Sequence, residues 1–223
     1  MAEALKKAIR DFGKHGIDVT FWFAPTIHAH GFNFQGESQK MIDIDGNIKD
    51  TFCPLDTRHG EYYCECVKTI LSSGVKRVMF EDDMRIHFPF DKKCCFCDKH
   101  LALYSELLGE TVTIEKMREE LSKEEPNRYR TAWIDANQIA LETFAKALRR
   151  AADEVDENIQ LVFCSGPSEW GGDGTDAIKL IDILSGKTVK ETRLIGAPYW
   201  GSMFNGYMYN MLSAVDYIRH QAH

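Results

Sequence analysis

The chain has 223 residues, 44% hydrophobic and 11% aromatic, enough apolar material to bury a sizeable core, which excludes a disulfide-stapled miniprotein. Its 27 basic against 34 acidic residues give a formal charge of -7, which argues against a phosphate-tracking surface and so against nucleic acid as a partner. No apolar run approaches the ~20 residues that cross a bilayer, and Met1 to Arg10 reads as an amphipathic helix without a signal-peptide core, so a soluble chain with no membrane partner is expected. Seven cysteines is an odd number, and five fall in two tight clusters, Cys64 with Cys66 and Cys94 with Cys95 and Cys97. That pattern suits reduced thiols or a metal site in a cytoplasmic protein better than a secreted disulfide framework.

In chain order, Ala2 to Gly13 is expected as a helix with Leu5, Ile9 and Phe12 on one stripe, and Ile17 to Ala24 as a buried strand ended by Pro25. Thr26 to Thr51, rich in Gly, Asn, Asp and His, reads as a long irregular stretch, and a loop of that length is more often functional than connective. Arg58 to Ser72 follows as a helix with Tyr62, Val67, Ile70 and Leu71 as core positions, then the strand Val75 to Phe80. Leu101 to Leu121 divides into two short helices near Gly109, the second capped by Thr113. The longest helix runs from Arg130 to Val155 with Ile134, Leu141, Phe144, Leu148 and Val155 on one face. The strand Ile159 to Cys164, a Gly-rich loop, a helix from Thr175 to Leu184, the strand Thr192 to Ala197 and a last helix from Tyr207 to His220 complete the reading. Strands alternating with helices imply one α/β domain over residues 1–223, with about four parallel strands, either an open doubly wound sheet or a barrel.

The strand Val75 to Phe80 runs straight into Glu81, Asp82 and Asp83, followed by Arg85 and His87, which sets acids at the carboxyl end of a parallel strand, where such folds build their sites. Packed this closely, the three carboxylates cannot all ionise without compensation from Arg85 or a cation, so one of them is suited to act as a general acid. Next comes Cys95-Phe96-Cys97-Asp98-Lys99-His100, in which two thiolates and an imidazole can converge on a tetrahedral Zn²⁺. Cys53, before Pro54, is the candidate for the fourth ligand and Cys94 competes with it; with all four positions filled the metal is structural. Trp170, Tyr199 and Trp200 follow later strands, where aromatic faces can stack on sugar rings, and His28 and His30 follow the first, where one can hydrogen-bond a hydroxyl. The glycines of residues 166–174 lack the spacing of a nucleotide-binding loop, and no organic cofactor is expected.

Phe52-Cys53-Pro54-Leu55-Asp56, then a helix, then a strand ending in acids, then the Cys95 to His100 run resembles the central part of the glycoside hydrolase family 42 β-galactosidases and their barrel relatives, over roughly Ile17 to Leu103. In that family a Cys before a Pro and a later C-x-C-x-x-C bind a structural zinc, and the intervening strand ends in Asn-Glu, the Glu being the acid/base. The resemblance implies a partial (β/α)8 barrel of TIM type and a retaining β-glycosidase acting on carbohydrate. Asp83 then stands at the acid/base position with a side chain one methylene shorter, Asp82 beside it; Glu81 takes the role if the register differs by two. His28, Arg85, Trp170 and Trp200 fall to substrate binding, and Cys53, Cys95, Cys97 and His100 to zinc, with His100 in place of the family's last Cys. The family's nucleophile follows a strand that this reading does not reach, and two earlier strands are missing. The expectation is a segment of a longer barrel, or a chain that pairs with a second copy. The alternatives are a metal-dependent hydrolase using Asp82, Asp83, His87 and His28 or His30, and a zinc-stabilised module without activity.

Overall fold

The computed structural model describes residues 2–24, 26, 38–80, 84–86, 92–165, 170–194 and 215–220. After helix α1 (Ala2–Gly13) come strand β1 (Phe21–Phe23), a hairpin of β2 (Lys40–Ile42) and β3 (Ile48–Phe52), helix α2 (Thr57–Leu71) and strand β4 (Arg77–Phe80). Helices α3 (Asp98–Leu108), α4 (Ile114–Leu121) and α5 (Arg128–Asp153) lead to β5 (Gln160–Ser165), a 3-10 turn (Trp170–Asp173), α6 (Ala177–Ser185), β6 (Glu191–Leu194) and β7 (Tyr217–His220). Side chains set most of the helix starts: Asp56, Thr113, Asn127 and Asp176 each accept from a backbone N–H in the first turn. Among the described residues no helix is long and apolar enough to cross a membrane.

The main sheet has the order β1-β4-β5-β6-β7, and every neighbouring pair is parallel. Leaving out the hairpin, spatial order equals chain order. An open doubly wound sheet reverses direction at a switch point, whereas a strand order that never reverses, with right-handed crossovers, puts every helix on one face. The packing agrees: α2 lies against α5 and α5 against α6, in the order of the strands they serve. Phe23, Val78, Phe80, Leu161 and Phe163 point to this helical layer and form the main core, while the alternate residues Met79, Val162 and Cys164 form a separate cluster on the other face.

That second face is concave. The Arg193 guanidinium on β6 lies 4.2 Å from the ring of Trp22 on β1, with Nη1 3.4 Å from Cys164 Sγ, and Arg77 on β4 pairs with Glu191 on β6 at 3.4 Å. In a flat sheet at ~4.8 Å per strand, β1 and β6 would stand ~14 Å apart. Their side chains meet because the sheet curls about this face, as a barrel wall does. The fold is thus α/β, a partial (β/α)8 TIM-barrel type of parallel strands flanked by helices.

Four expectations need correction. The last four residues of the helix expected over 207–220 are strand β7. Its pairing with β6 is fixed where the Asp216 N–H donates to the Lys190 carbonyl and the Lys190 N–H donates to the Asp216 carboxylate, both at 2.8 Å, so ladder bonds override helical periodicity and a fifth strand joins the expected four. The stretch Thr26 to Thr51 contains the β2–β3 hairpin. Asp43 Oδ1 accepts from the N–H groups of Asp45 and Asn47 at 2.9 Å, and Gly46 supplies the positive φ of the turn. On α5, Val155 lies beyond the helix end and is exposed, and on α2 Tyr63 is the buried tyrosine, with Tyr62 only half-buried.

Gly174 (φ +92°) sits against α5, where an added Cβ would stand 2.4 Å from the Ile134 carbonyl oxygen and 2.8 Å from Asn137 Cβ. Gly174→Ala is expected to destabilise by at least about 1–3 kcal/mol from backbone strain alone. Gly60 inside α2 has ordinary helical φ and open space, so Gly60→Ala is expected to stabilise by about 0.5–1 kcal/mol. Denaturant midpoints of the two variants check both signs.

Candidate metal centre and the carboxyl end of the sheet

Cys53 follows β3 at the bend into Pro54, its N–H donating to the Gln39 carbonyl at 2.9 Å. Cys97 is the extended residue that begins α3, two residues after Cys95, and His100 lies in the first turn of that helix. All four side chains are buried, and one donor atom from each falls within 4.8 Å of every other. Cys97 Sγ is 3.6 Å from Cys53 Sγ, and His100 Nδ1 is 3.3 Å from Cys53 Sγ and 3.5 Å from Cys97 Sγ. A tetrahedron with Zn–S of 2.3 Å and Zn–N near 2.05 Å has edges of about 3.8 Å between sulfurs and about 3.6 Å between sulfur and nitrogen. The cluster therefore has the chemistry and nearly the spacing of a closed Cys3His site.

Its electrostatics also favour a cation. Burial pushes the Cys53 and Cys95 thiols up, while hydrogen bonds from Cys53, Cys95 and His100 hold the Cys97 thiol far below its ordinary range. A divalent ion replaces the thiol protons and neutralises the sulfurs together. His100 Nε2, on the far side of the ring, is buried and makes no hydrogen bond, while the Tyr104 hydroxyl donates to the Cys95 carbonyl at 2.7 Å. Cys94 is not part of the cluster: its Sγ contacts the Lys92 carbonyl at 3.7 Å, and its own carbonyl accepts from Trp133 Nε1 at 2.8 Å and Asn137 Nδ2 at 3.2 Å. The structure chooses Cys53 over Cys94.

Of the residues expected at the carboxyl end of the sheet, Glu81, Asp82, Asp83, His87, His28, His30, Glu169, Tyr199 and Trp200 lie outside the described residues, and Trp170 is described by its backbone alone, heading the 3-10 turn. Arg85 is described. It is buried between Met84 and Ile86, and its N–H donates to Thr26 Oγ1 at 2.9 Å, tying the segment after β4 to the segment after β1. Asp173 closes the 3-10 turn after β5, with its Oδ1 accepting from the Thr175 N–H at 2.9 Å. Burial pushes its carboxyl up to about 6, against the opposing pull of the Thr175 hydrogen bonds and the Arg85 charge.

Sequence reasoning missed Trp133 and Asn137. From one face of α5, Asn137 Nδ2 donates both to the Cys94 carbonyl and, at 3.0 Å, to the Asp173 carbonyl, so one amide holds the loops after β4 and β5. The signal was present: Asn137 is a polar residue set at helical spacing among Trp133, Ala136, Ala140 and Leu141, all buried.

No protein-family model and no curated protein matches the sequence. Among the solved structures that share its fold are two β-galactosidases. One is a polyextremophilic β-galactosidase from the Antarctic haloarchaeon Halorubrum lacusprofundi, at TM-score 0.62 and 12% identity over 87% of this chain and 32% of that one. The other is a β-galactosidase from the psychrophilic Marinomonas ef1, at TM-score 0.64 and 11% identity over 87% and 33%. The chain spans about a third of the length of these enzymes, and at such identity the likeness establishes the fold alone.

Asp173 gives a pH-dependent expectation. A carboxyl raised from its ordinary value near 4 to about 6 stabilises the fold in its protonated form. Its contribution is fully present below pH 4, declines between pH 4 and 6, and is gone above. Asp173→Asn, which keeps the acceptor for the Thr175 N–H without a charge, should flatten this dependence and be more stable than the wild type above pH 6, on the order of 2 kcal/mol. Denaturant unfolding at pH 4 and pH 8 measures it.

Proposed function

We propose that the chain is a single α/β domain forming the central portion of a glycosidase-type barrel, acting on a β-glycoside with retention, in a reducing, cytoplasmic setting. The observation that carries the reading is the convergence of Cys53, Cys95, Cys97 and His100, because these residues flank β4 in sequence and belong to the motif on which the resemblance to the family 42 β-galactosidases rests. The winding of the sheet and its likeness to two β-galactosidases support it. All seven cysteines are free, which suits a reducing compartment.

In this reading zinc is structural, since four protein donors leave no position for water or substrate. It ties the bend after β3 to the start of α3, the two segments that bracket α2 and β4, and so steadies the strand whose end carries Glu81, Asp82 and Asp83. Asp83 protonates the leaving oxygen, with Glu81 and Asp82 beside it, and a carboxylate from another strand end of the complete barrel attacks the anomeric carbon, ~5–5.5 Å from Asp83. His28, Arg85, Trp170 and Trp200 contribute to the sugar site. The remaining barrel wall comes from further strands or from a second copy.

The purified chain should carry one zinc per molecule by elemental analysis, retained in Cys94→Ser and lost in Cys97→Ser and in His100→Ala. Chelation should lower the melting midpoint by roughly 10 °C, the shift of about 3–5 kcal/mol in a chain of this size. Loss of the metal in Asp82→Asn or Asp83→Asn with the cysteine variants unaffected would replace this reading with a catalytic metal.

The test of activity is hydrolysis of an aryl β-galactoside. The chain alone should turn over poorly or not at all, because the acids beside Asp83 share one strand end and cannot flank a sugar ring. Any turnover should fall by about 10²-fold or more in Asp83→Asn. Turnover that persists in that variant and requires added metal supports the metal-hydrolase alternative instead.

A further inference from the structure

Asp173 is built more firmly than a loop turn requires. Its carbonyl is held by Asn137 at 3.0 Å, its Oδ1 by the Thr175 N–H at 2.9 Å, and the next residue, Gly174, lies so close to α5 that no side chain fits. The carboxyl is thereby fixed in place at the carboxyl end of β5. The residue is only 5% exposed, and its second oxygen, Oδ2, is buried with no hydrogen bond beyond what the adjacent Thr175 hydroxyl offers the carboxyl.

The turn itself does not call for this chemistry. One neutral acceptor oxygen satisfies the Thr175 N–H, and Asn supplies it without placing a charge out of water. A buried carboxylate whose donors come from a single neighbouring residue is under-satisfied and costs stability, and such groups concentrate where a ligand supplies a further partner. Asp173 also stands on the side of the sheet where every βα connection opens, and Arg85, after the neighbouring β4, is near enough for its charge to favour the ionised carboxylate.

We propose that Asp173 is a substrate-binding residue whose Oδ2 accepts a hydrogen bond from a hydroxyl of a bound sugar. This rests on the glycosidase reading above and adds to it a residue after β5 that recognises the glycone. A rigid, preformed acceptor of this kind discriminates strongly, because a sugar lacking the hydroxyl leaves the carboxylate unpaired.

The experiment is calorimetric titration of the full, zinc-loaded chain with methyl β-D-galactopyranoside and its 2-, 3-, 4- and 6-deoxy derivatives, for the wild type, Asp173→Asn and Asp173→Ala. The wild type is expected to bind the parent glycoside and to bind one deoxy derivative at least about tenfold more weakly, while Asp173→Ala binds parent and that derivative alike. Asp173→Asn, which preserves the turn, separates loss of the charged acceptor from loss of structure: its parent affinity falls about tenfold while its unfolding midpoint at pH 8 does not fall. Equal penalties for every deoxy derivative in wild type and Asp173→Ala overturn the inference and leave the glycosidase reading standing. Failure of the wild type to bind the glycoside at all overturns the inference, while the glycosidase reading is judged separately by the zinc content and the hydrolysis assay above.

Discussion

The rim of the sheet depends on buried hydrogen bonds from the side chains of α5 to loop carbonyls. Loops after parallel strands carry backbone groups that no ladder satisfies, and burying them without partners is costly. Helix α5 supplies the donors. Trp133 and Asn137 reach the carbonyls of Cys94 and Asp173, and at the opposite, amino end of the sheet Arg149 Nη1 donates to the carbonyls of Ile159, just before β5, and of Leu184, in the last turn of α6, at 2.8 and 3.0 Å. The same helix packs on α2, α3, α4 and α6, so the βα connections are referenced to one rigid rod. Gly174 is the counterpart of this arrangement, a residue without a side chain where the turn after β5 meets the helix.

The Cys3His cluster complements α5 within the same core. Three thiols and an imidazole buried together are poorly served by protons alone: burial raises the Cys53 and Cys95 thiols, while hydrogen bonds from its neighbours lower that of Cys97. A metal ion removes that frustration and cross-links segments more than 40 residues apart in the chain, a constraint that acts largely by restricting the unfolded state. Cys94 shows how finely the roles divide: one residue before Cys95, it turns its carbonyl to α5 and takes no part in the cluster.

The concave face carries the clearest sign of barrel architecture. Apolar side chains alone would fill it, yet Arg193 and Trp22 reach across two intervening strands to touch, and Arg77 and Glu191 reach across one. Glu191 is buried, so its charge depends on such contacts. These interior contacts and the sequential strand order are independent observations with one geometrical consequence, a sheet curving toward closure.

The sequence by itself determined the alternation of strands and helices, the cap of α4, and a metal-ligand set of Cys95, Cys97 and His100 with Cys53 or Cys94 as the fourth. These are local or motif-borne: helical spacing, capping residues and ligand spacing are written in contiguous residues. Only the tertiary structure decided that the winding is of barrel type, that β7 is a strand, that Cys53 and not Cys94 completes the cluster, and that Asn137 and Asp173 are held together. Each of these depends on partners far away in the chain. The pairing of β7 with β6, the side toward which a cysteine turns and the carbonyl an amide reaches are fixed by packing and hydrogen-bond satisfaction across the whole fold, and no short window of sequence encodes them.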